Sequence, residues 1–198
     1  MHYKYLRRSY LNRTARLAPL FVAPVNVAAL LADFHELMDD VVGPHCTISL
    51  SHAPGDYAVA IEAWALQMVL LEILMNASEA TPSGGVLAIT TQPVPVSSDL
   101  HLLPGQYMKL SIADPGCGMT KDVESRAFDP LFSTKKSHLG IGLSQVAGLL
   151  ACSGSRAYID TNPAHGTTIH LYLRRGSELI LVPDPTKAIY WRQPKRDA

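Results

Sequence analysis

The chain has 198 residues, 47% hydrophobic and 17% charged, which suits one packed domain with short appendages and excludes a mainly disordered protein. Lys plus Arg equals Asp plus Glu at 17 each, so no net field draws nucleic acid or an anionic membrane. Any anion it binds must be held by local geometry.

The cysteines Cys46, Cys117 and Cys152 are scattered, form no CxxC pair and imply no disulfide framework. The longest apolar run, Val69 to Met75, contains Glu72 and is too short to span a bilayer. The basic N-terminus lacks the apolar core of a secretion signal. A reducing, cytoplasmic setting is expected, with no membrane contact by this segment.

In chain order, residues 1–24 are rich in Arg and Tyr and read as a linker or the end of an upstream helix. Asn26 can cap a helix running to Val42, with Val27, Leu30, Leu31, Phe34, Leu37, Met38 and Val41 at helical spacing; Gly43-Pro44 ends it. Cys46 to His52 alternates like a strand. Ile61 to Ala80 is the strongest predicted helix, apolar over most of its surface and therefore largely buried. Val86–Thr91 and Tyr107–Ala113 read as strands, separated by Pro93 to Gly105 as a loop or hairpin extension. Gly140 to Cys152 is a second apolar helix, and Arg156–Asp160 and Thr167–Leu173 are closing strands around the turn Asn162–Gly166. Residues 25–175 thus form the domain, and 176–198 a C-terminal extension without periodicity.

Runs of adjacent strands point to an α+β fold, a two-layer α/β sandwich whose mixed sheet is covered by helices on one face, rather than a doubly wound sheet. No GxxxxGK[ST] occurs, so a P-loop is excluded.

Four segments carry candidate chemistry. On the long helix, Glu72, Asn76, Glu79 and Ala80 fall on neighbouring positions. Polar groups on a buried helix are costly without partners, and a magnesium ion, which takes oxygen ligands, would supply one. The plainer reading has Asn76 bridging nearby backbone. Asp114-Pro115-Gly116-Cys117-Gly118-Met119 follows a strand: a carboxylate there can accept from an exocyclic amine such as that of adenine, and the glycines let a flat ring approach. Alternatively it is a glycine-rich turn. Ala127 to Lys136 sets Phe128 and Phe132 around a Pro-bearing turn, followed by two lysines, as either a packed loop or a cover over phosphates. Leu139-Gly140-Ile141-Gly142-Leu143-Ser144 opens a helix, where exposed N–H groups make an anion site, or merely a tightly packed helix start.

Together, in this order, the four segments resemble the nucleotide-binding boxes of the GHKL superfamily of histidine kinases, gyrase, Hsp90-type chaperones and MutL-type ATPases. LLEILMNASEA is similar to the N box, DPGCGM to the G1 box, AFDPLFSTKK to the F box and LGIGLS to the G2 box, with His165-Gly166-Thr167-Thr168 like the closing GTT element. The likeness covers roughly Val25 to Arg175 and lies nearest the short-lid kinases related to nitrogen and oxygen sensors.

The resemblance implies the Bergerat fold and a site for ATP and Mg2+ in the catalytic domain of a two-component sensor histidine kinase. Asn76 would ligate the metal, and Asp114 would bind the adenine amino group with Thr167 supporting it through its hydroxyl or a water. Gly116, Gly118 and Met119 would shape the adenine pocket, with Phe128 and Glu79 also in the nucleotide site. Gly140, Ile141, Gly142 and Leu143 would hold phosphates. Lys135 or Lys136 would reach the γ-phosphate, and Glu72, Asn76 and Lys135 form the catalytic set. The implied partners are ATP, a helical histidine phosphoacceptor domain and, indirectly, a response regulator.

The departures matter. Glu72 stands where many histidine kinases carry an asparagine and where the hydrolase branches carry their general base, so a GHKL ATPase is one alternative. His138 replaces the usual first glycine of the G2 box, so a degenerate nucleotide-sensing module without transfer activity is another. His35-Glu36 is too near Asn76 to be a phosphoacceptor motif, and this chain alone is not expected to autophosphorylate.

Overall fold

A computed structural model describes residues 24–54, 58–96, 102–135 and 138–176. All of the predicted linker but Pro24, most of the C-terminal extension and Lys136 lie outside the described residues. The chain enters through a short strand β1 (Val25–Asn26), then α1 (Val27–Asp33), α2 (His35–Val42) and β2 (Cys46–His52). A second short strand, β3 (Ala58–Val59), precedes the long helix α3 (Ala63–Ala80). There follow β4 (Gly85–Val96), β5 (Gly105–Asp114), α4 (Lys121–Arg126), α5 (Gly142–Ala151), β6 (Arg156–Thr161) and β7 (Thr167–Arg174).

The main sheet has the order β2-β4-β5-β7-β6. β2 and β4 are parallel, as the α3 crossover between them requires, and the remaining pairs are antiparallel. The sheet is therefore mixed, as expected. Period-two alternation puts Leu87 and Ile89, Met108, Leu110 and Ile112, Ile169, Leu171 and Leu173, and Ala157 and Ile159 in one core with the helices. Register keeps them aligned across strands: Ile89 opposite Ile112, Ile112 opposite Ile169, and Ile169 opposite Ile159.

α3 is the centre of that core. Leu66, Val69, Leu70, Leu71 and Leu74 are wholly buried, and the helix packs against α2 and α5 as well as the sheet. Its all-round apolar surface follows from having neighbours on every side.

Two features differ from the sequence expectation, and a third, the hairpin extension offered beyond Thr91, is realised. The single helix from Asn26 to Val42 is broken at Phe34, whose φ of −99° and ψ of 0° depart from helical values. The Phe34 N–H still donates to the Leu30 carbonyl at 3.0 Å, so the helix bends and keeps Leu31 and Met38 both in the core. Asn26 does cap it, its side-chain oxygen accepting from the Ala29 N–H at 3.0 Å. β4 runs on through Pro93 and Pro95 to Val96. Its pairing with β2 ends at Thr91, so no ladder bond is lost there for want of a proline N–H. Finally, α4, capped by Thr120, and the β1–β3 pair are short elements that the periodicity did not announce.

Candidate functional site

The site is assembled where the C-terminal half of α3, the end of β5, the start of β7 and the start of α5 meet. Asp114 is the last residue of β5 and pairs with Thr167, the first of β7. Its Oδ1 accepts from the Gly116 N–H at 2.9 Å, in a local turn that fixes the carboxylate beside the strand end. Burial raises the Asp114 pKa above the ordinary carboxylate value, opposed by the N–H groups of Gly116 and Thr167 and by the charge of Lys135. A half-buried, desolvated carboxylate of this kind favours a ligand that brings a hydrogen-bond donor. A Cβ at Gly116 would lie 2.6 Å from both the Ala80 carbonyl oxygen and Asp114 Oδ1, so the turn closes only without a side chain.

Thr167 supports Asp114 through its backbone, and its hydroxyl is engaged elsewhere. Thr161 Oγ1 donates to the Gly166 carbonyl at 3.0 Å, accepts from the Met119 N–H at 2.9 Å, and lies 3.1 Å from Thr167 Oγ1. With its own proton committed, the Thr161 oxygen accepts from the Thr167 hydroxyl. This buried knot ties the glycine turn after β5 to the hairpin between β6 and β7. No motif pointed to Thr161.

On α3, Glu72 and Asn76 lie one turn apart and face α5. Glu72 is only 6% exposed. A Cβ at Gly142, the first residue of α5, would fall 2.6 Å from Glu72 Oε2 and 3.8 Å from Asn76 Nδ2. The start of α5 thus approaches both side chains closely because Gly142 has none. That helix has no side-chain cap and no acidic residue in its first turn, so the carboxylate beside its positive end comes from α3.

Ala127, residues 132–135, His138 and Leu139 form the remaining wall. Arg126 places its guanidinium 4.1 Å from the Phe132 ring centroid. The Leu131 N–H donates to the Gly140 carbonyl at 2.9 Å, with Leu131 at φ +63° and Gly140 at φ +67°. Lys135 forms an ion pair with Glu79 of α3, and His138 Nε2 lies 3.2 Å from the other oxygen of that carboxylate.

These elements enclose a cavity of about 590 Å³. Glu72, Asn76, Glu79, Asp114, Gly118, Met119, Lys135, Gly140, Ile141, Gly142, Leu143 and Thr167 all line it, so most of the residues singled out in the sequence come together. Gly116 stands behind the wall as a support for Asp114. Phe128 is buried in the core, and Phe132 of the same segment takes the place on the wall. His138, noted in the sequence only as a missing glycine, also lines the cavity. Three carboxylates and one ammonium among the described wall residues make an acidic pocket. Among the described residues, no group of three or more His, Cys, Asp or Glu side chains could hold a metal ion unaided. No helix of the described residues is long and apolar enough to cross a membrane.

The fold is a two-layer α/β sandwich with a cavity where the layers meet. Residues 61–177 match the family described as histidine kinase-, DNA gyrase B-, and HSP90-like ATPase, and the chain belongs to that family. It is 28% identical over 158 residues to sensor kinase CckA of Brucella abortus (strain 2308), covering 76% of this chain and 17% of that protein. It is also 28% identical over 155 residues to sensor protein TdiS of Thauera aromatica, covering 76% of this chain and 27% of that protein. The chain therefore spans well under a third of the length of these relatives. Among solved structures, the mycobacterial sensor histidine kinase MprB is similar with a TM-score of 0.63 at 20% identity, over 78% of this chain and 99% of that one. Full-length ShkA in complex with AMPPNP gives 0.66 at 20% identity, over 83% of this chain and 33% of that one. The architecture is thus the Bergerat fold of histidine-kinase catalytic domains.

Proposed function

We propose that this domain binds Mg–ATP as the catalytic part of a two-component sensor histidine kinase. It would deliver the γ-phosphoryl group to a histidine on a helical phosphoacceptor domain, from which a response regulator is served. The observation that carries this reading is that Asp114 and Asn76 line one cavity, with the glycine-bearing start of α5 close beside Asn76.

Asp114 accepts from the adenine amino group, and the Gly116 and Thr167 N–H groups keep its carboxylate oriented. Gly118 and Met119 border the ring. The N–H groups opening α5, at Gly142 and Leu143, face the phosphates, which their positive helix end favours. Asn76 Oδ1 would hold Mg2+, which would supply positive charge to offset that of the phosphates. The acidic wall fits this: a triphosphate entering beside Glu72, Glu79 and Asp114 needs a cation to offset repulsion. Lys135 supplies a point charge to the γ-phosphate. Glu72, buried beside the start of α5, would act as a general base on water only in the alternative reading of an ATPase. In the transfer step the γ-phosphorus bond to the β-phosphate oxygen breaks and a bond to the phosphoacceptor imidazole nitrogen forms, chiefly through positioning and charge neutralisation.

The test is incubation with γ-labelled ATP, with and without a separate helical phosphoacceptor domain. Label is expected on the acceptor histidine and none on this chain alone. Tight ATP binding with no transfer would instead indicate a nucleotide-sensing module. Phosphate release abolished by Glu72→Gln would indicate an ATPase.

A further inference from the structure

We infer that Glu79 is a positioning residue that acts through Lys135: it holds the ammonium away from the terminal phosphate site and so restrains the preference for a nucleoside triphosphate over a diphosphate. The inference rests on the nucleotide reading above and adds a role for a residue that touches neither ring nor metal in it.

Both oxygens of the Glu79 carboxylate are engaged, Oε2 by the Lys135 ammonium and Oε1 by His138 Nε2 at 3.2 Å. Glu79 sits on the rigid α3 one turn beyond Asn76, and all four side chains border the same cavity. Lys135 lies in a local turn, its N–H donating to Ser133 Oγ at 3.0 Å and its carbonyl accepting from that hydroxyl at 3.1 Å. Rotation of the long lysine side chain about this turn can carry the ammonium from Glu79 to a phosphate. Lys135 and Asp114 line the same cavity, so the ammonium held by Glu79 borders the pocket that the carboxylate also faces.

The balance of charges decides the direction. Among the described residues the other acidic groups on the wall are Glu72 and Asp114, which gives three carboxylates to one lysine there. Side-chain exposure is 37% for Lys135 and 39% for Glu79, so solvent screens the pair and separating it costs little. A terminal phosphate near Lys135 gains a charge-assisted contact but must take it from Glu79 and approach that carboxylate. A diphosphate ends one phosphoryl group earlier and leaves the pair intact. Glu79 thus opposes triphosphate binding and has little effect on diphosphate binding.

Calorimetric titration of the whole chain with Mg–ATP and with Mg–ADP tests this for wild type, Glu79→Gln, Lys135→Met and the double variant. Glu79→Gln is expected to tighten Mg–ATP by about threefold or more, the scale of an exposed ion pair, with Mg–ADP changing by less than about twofold. In the Lys135→Met background more than half of that gain should vanish. Weaker or unchanged Mg–ATP binding by Glu79→Gln, equal gains for both nucleotides, or a full gain without Lys135 would each overturn the role of Glu79 while leaving the nucleotide site standing. Binding of neither nucleotide by wild type or any variant would overturn the site itself, and this role with it.

Discussion

Asp114 shows how one residue can cost stability in the empty protein and serve the filled one. Burial raises its pKa, so folding favours the protonated acid. The corresponding stability is present at low pH and is lost as pH rises through the raised value. At neutral pH the ionised side chain therefore makes the nucleotide-free chain less stable than an uncharged isostere would. Asn keeps an oxygen for the Gly116 N–H but cannot meet an adenine amine as strongly. Asp114→Asn should hold or raise Tm at pH 7 while weakening ATP by about 10- to 100-fold, since a hydrogen bond to a charged group is worth about 1.5–3 kcal/mol. A lower Tm with unchanged affinity would contradict this account. Asp114 and Asn76 were legible in the sequence because carboxylate and carboxamide chemistry stood at a strand end and on a buried helix. Thr161 and His138 were not, because their significance lies in partners brought near by the fold, namely Met119, Gly166 and Thr167 for one and Glu79 for the other.

At the scale of elements, α3 sets both stability and site geometry. Its buried leucines anchor it to α2, α5 and the sheet, and the same turns carry Glu72, Asn76 and Glu79. Leu74 is wholly buried between the two polar positions Glu72 and Asn76. Leu74→Ala should cost about 2–5 kcal/mol of folding free energy, the range for truncating a packed leucine. Chemical denaturation measures this directly, and a loss below about 1 kcal/mol would mean that α3 is not the packed centre of the core. The long periodic helices and alternating strands were readable because burial repeats along them. The bend at Phe34 was hidden, since the apolar spacing continues across it. The passage of β4 through Pro93 and Pro95 depends on β2 ending at Thr91, which is a fact of pairing rather than of local sequence.

Over the whole molecule, the two layers enclose the cavity at their seam, and helix and strand ends supply its polar groups. The order of segments in the chain foretold this arrangement, and the match over residues 61–177 places it in the ATPase family. Kinase chemistry needs a phosphoacceptor outside this fold, which is why transfer to a supplied helical domain, and none to the chain itself, is the expected pattern. In the proposed function one pocket joins a purine-binding carboxylate to a metal-binding carboxamide. Titration with a non-hydrolysable ATP analogue, with and without Mg2+, on wild type, Asn76→Ala and Asp114→Ala tests it most directly. Wild type should bind one nucleotide, more tightly with Mg2+; Asn76→Ala should abolish the metal's benefit; and Asp114→Ala should weaken binding with or without metal. Equal affinity in all three proteins, or a metal dependence untouched by Asn76→Ala, would contradict the account.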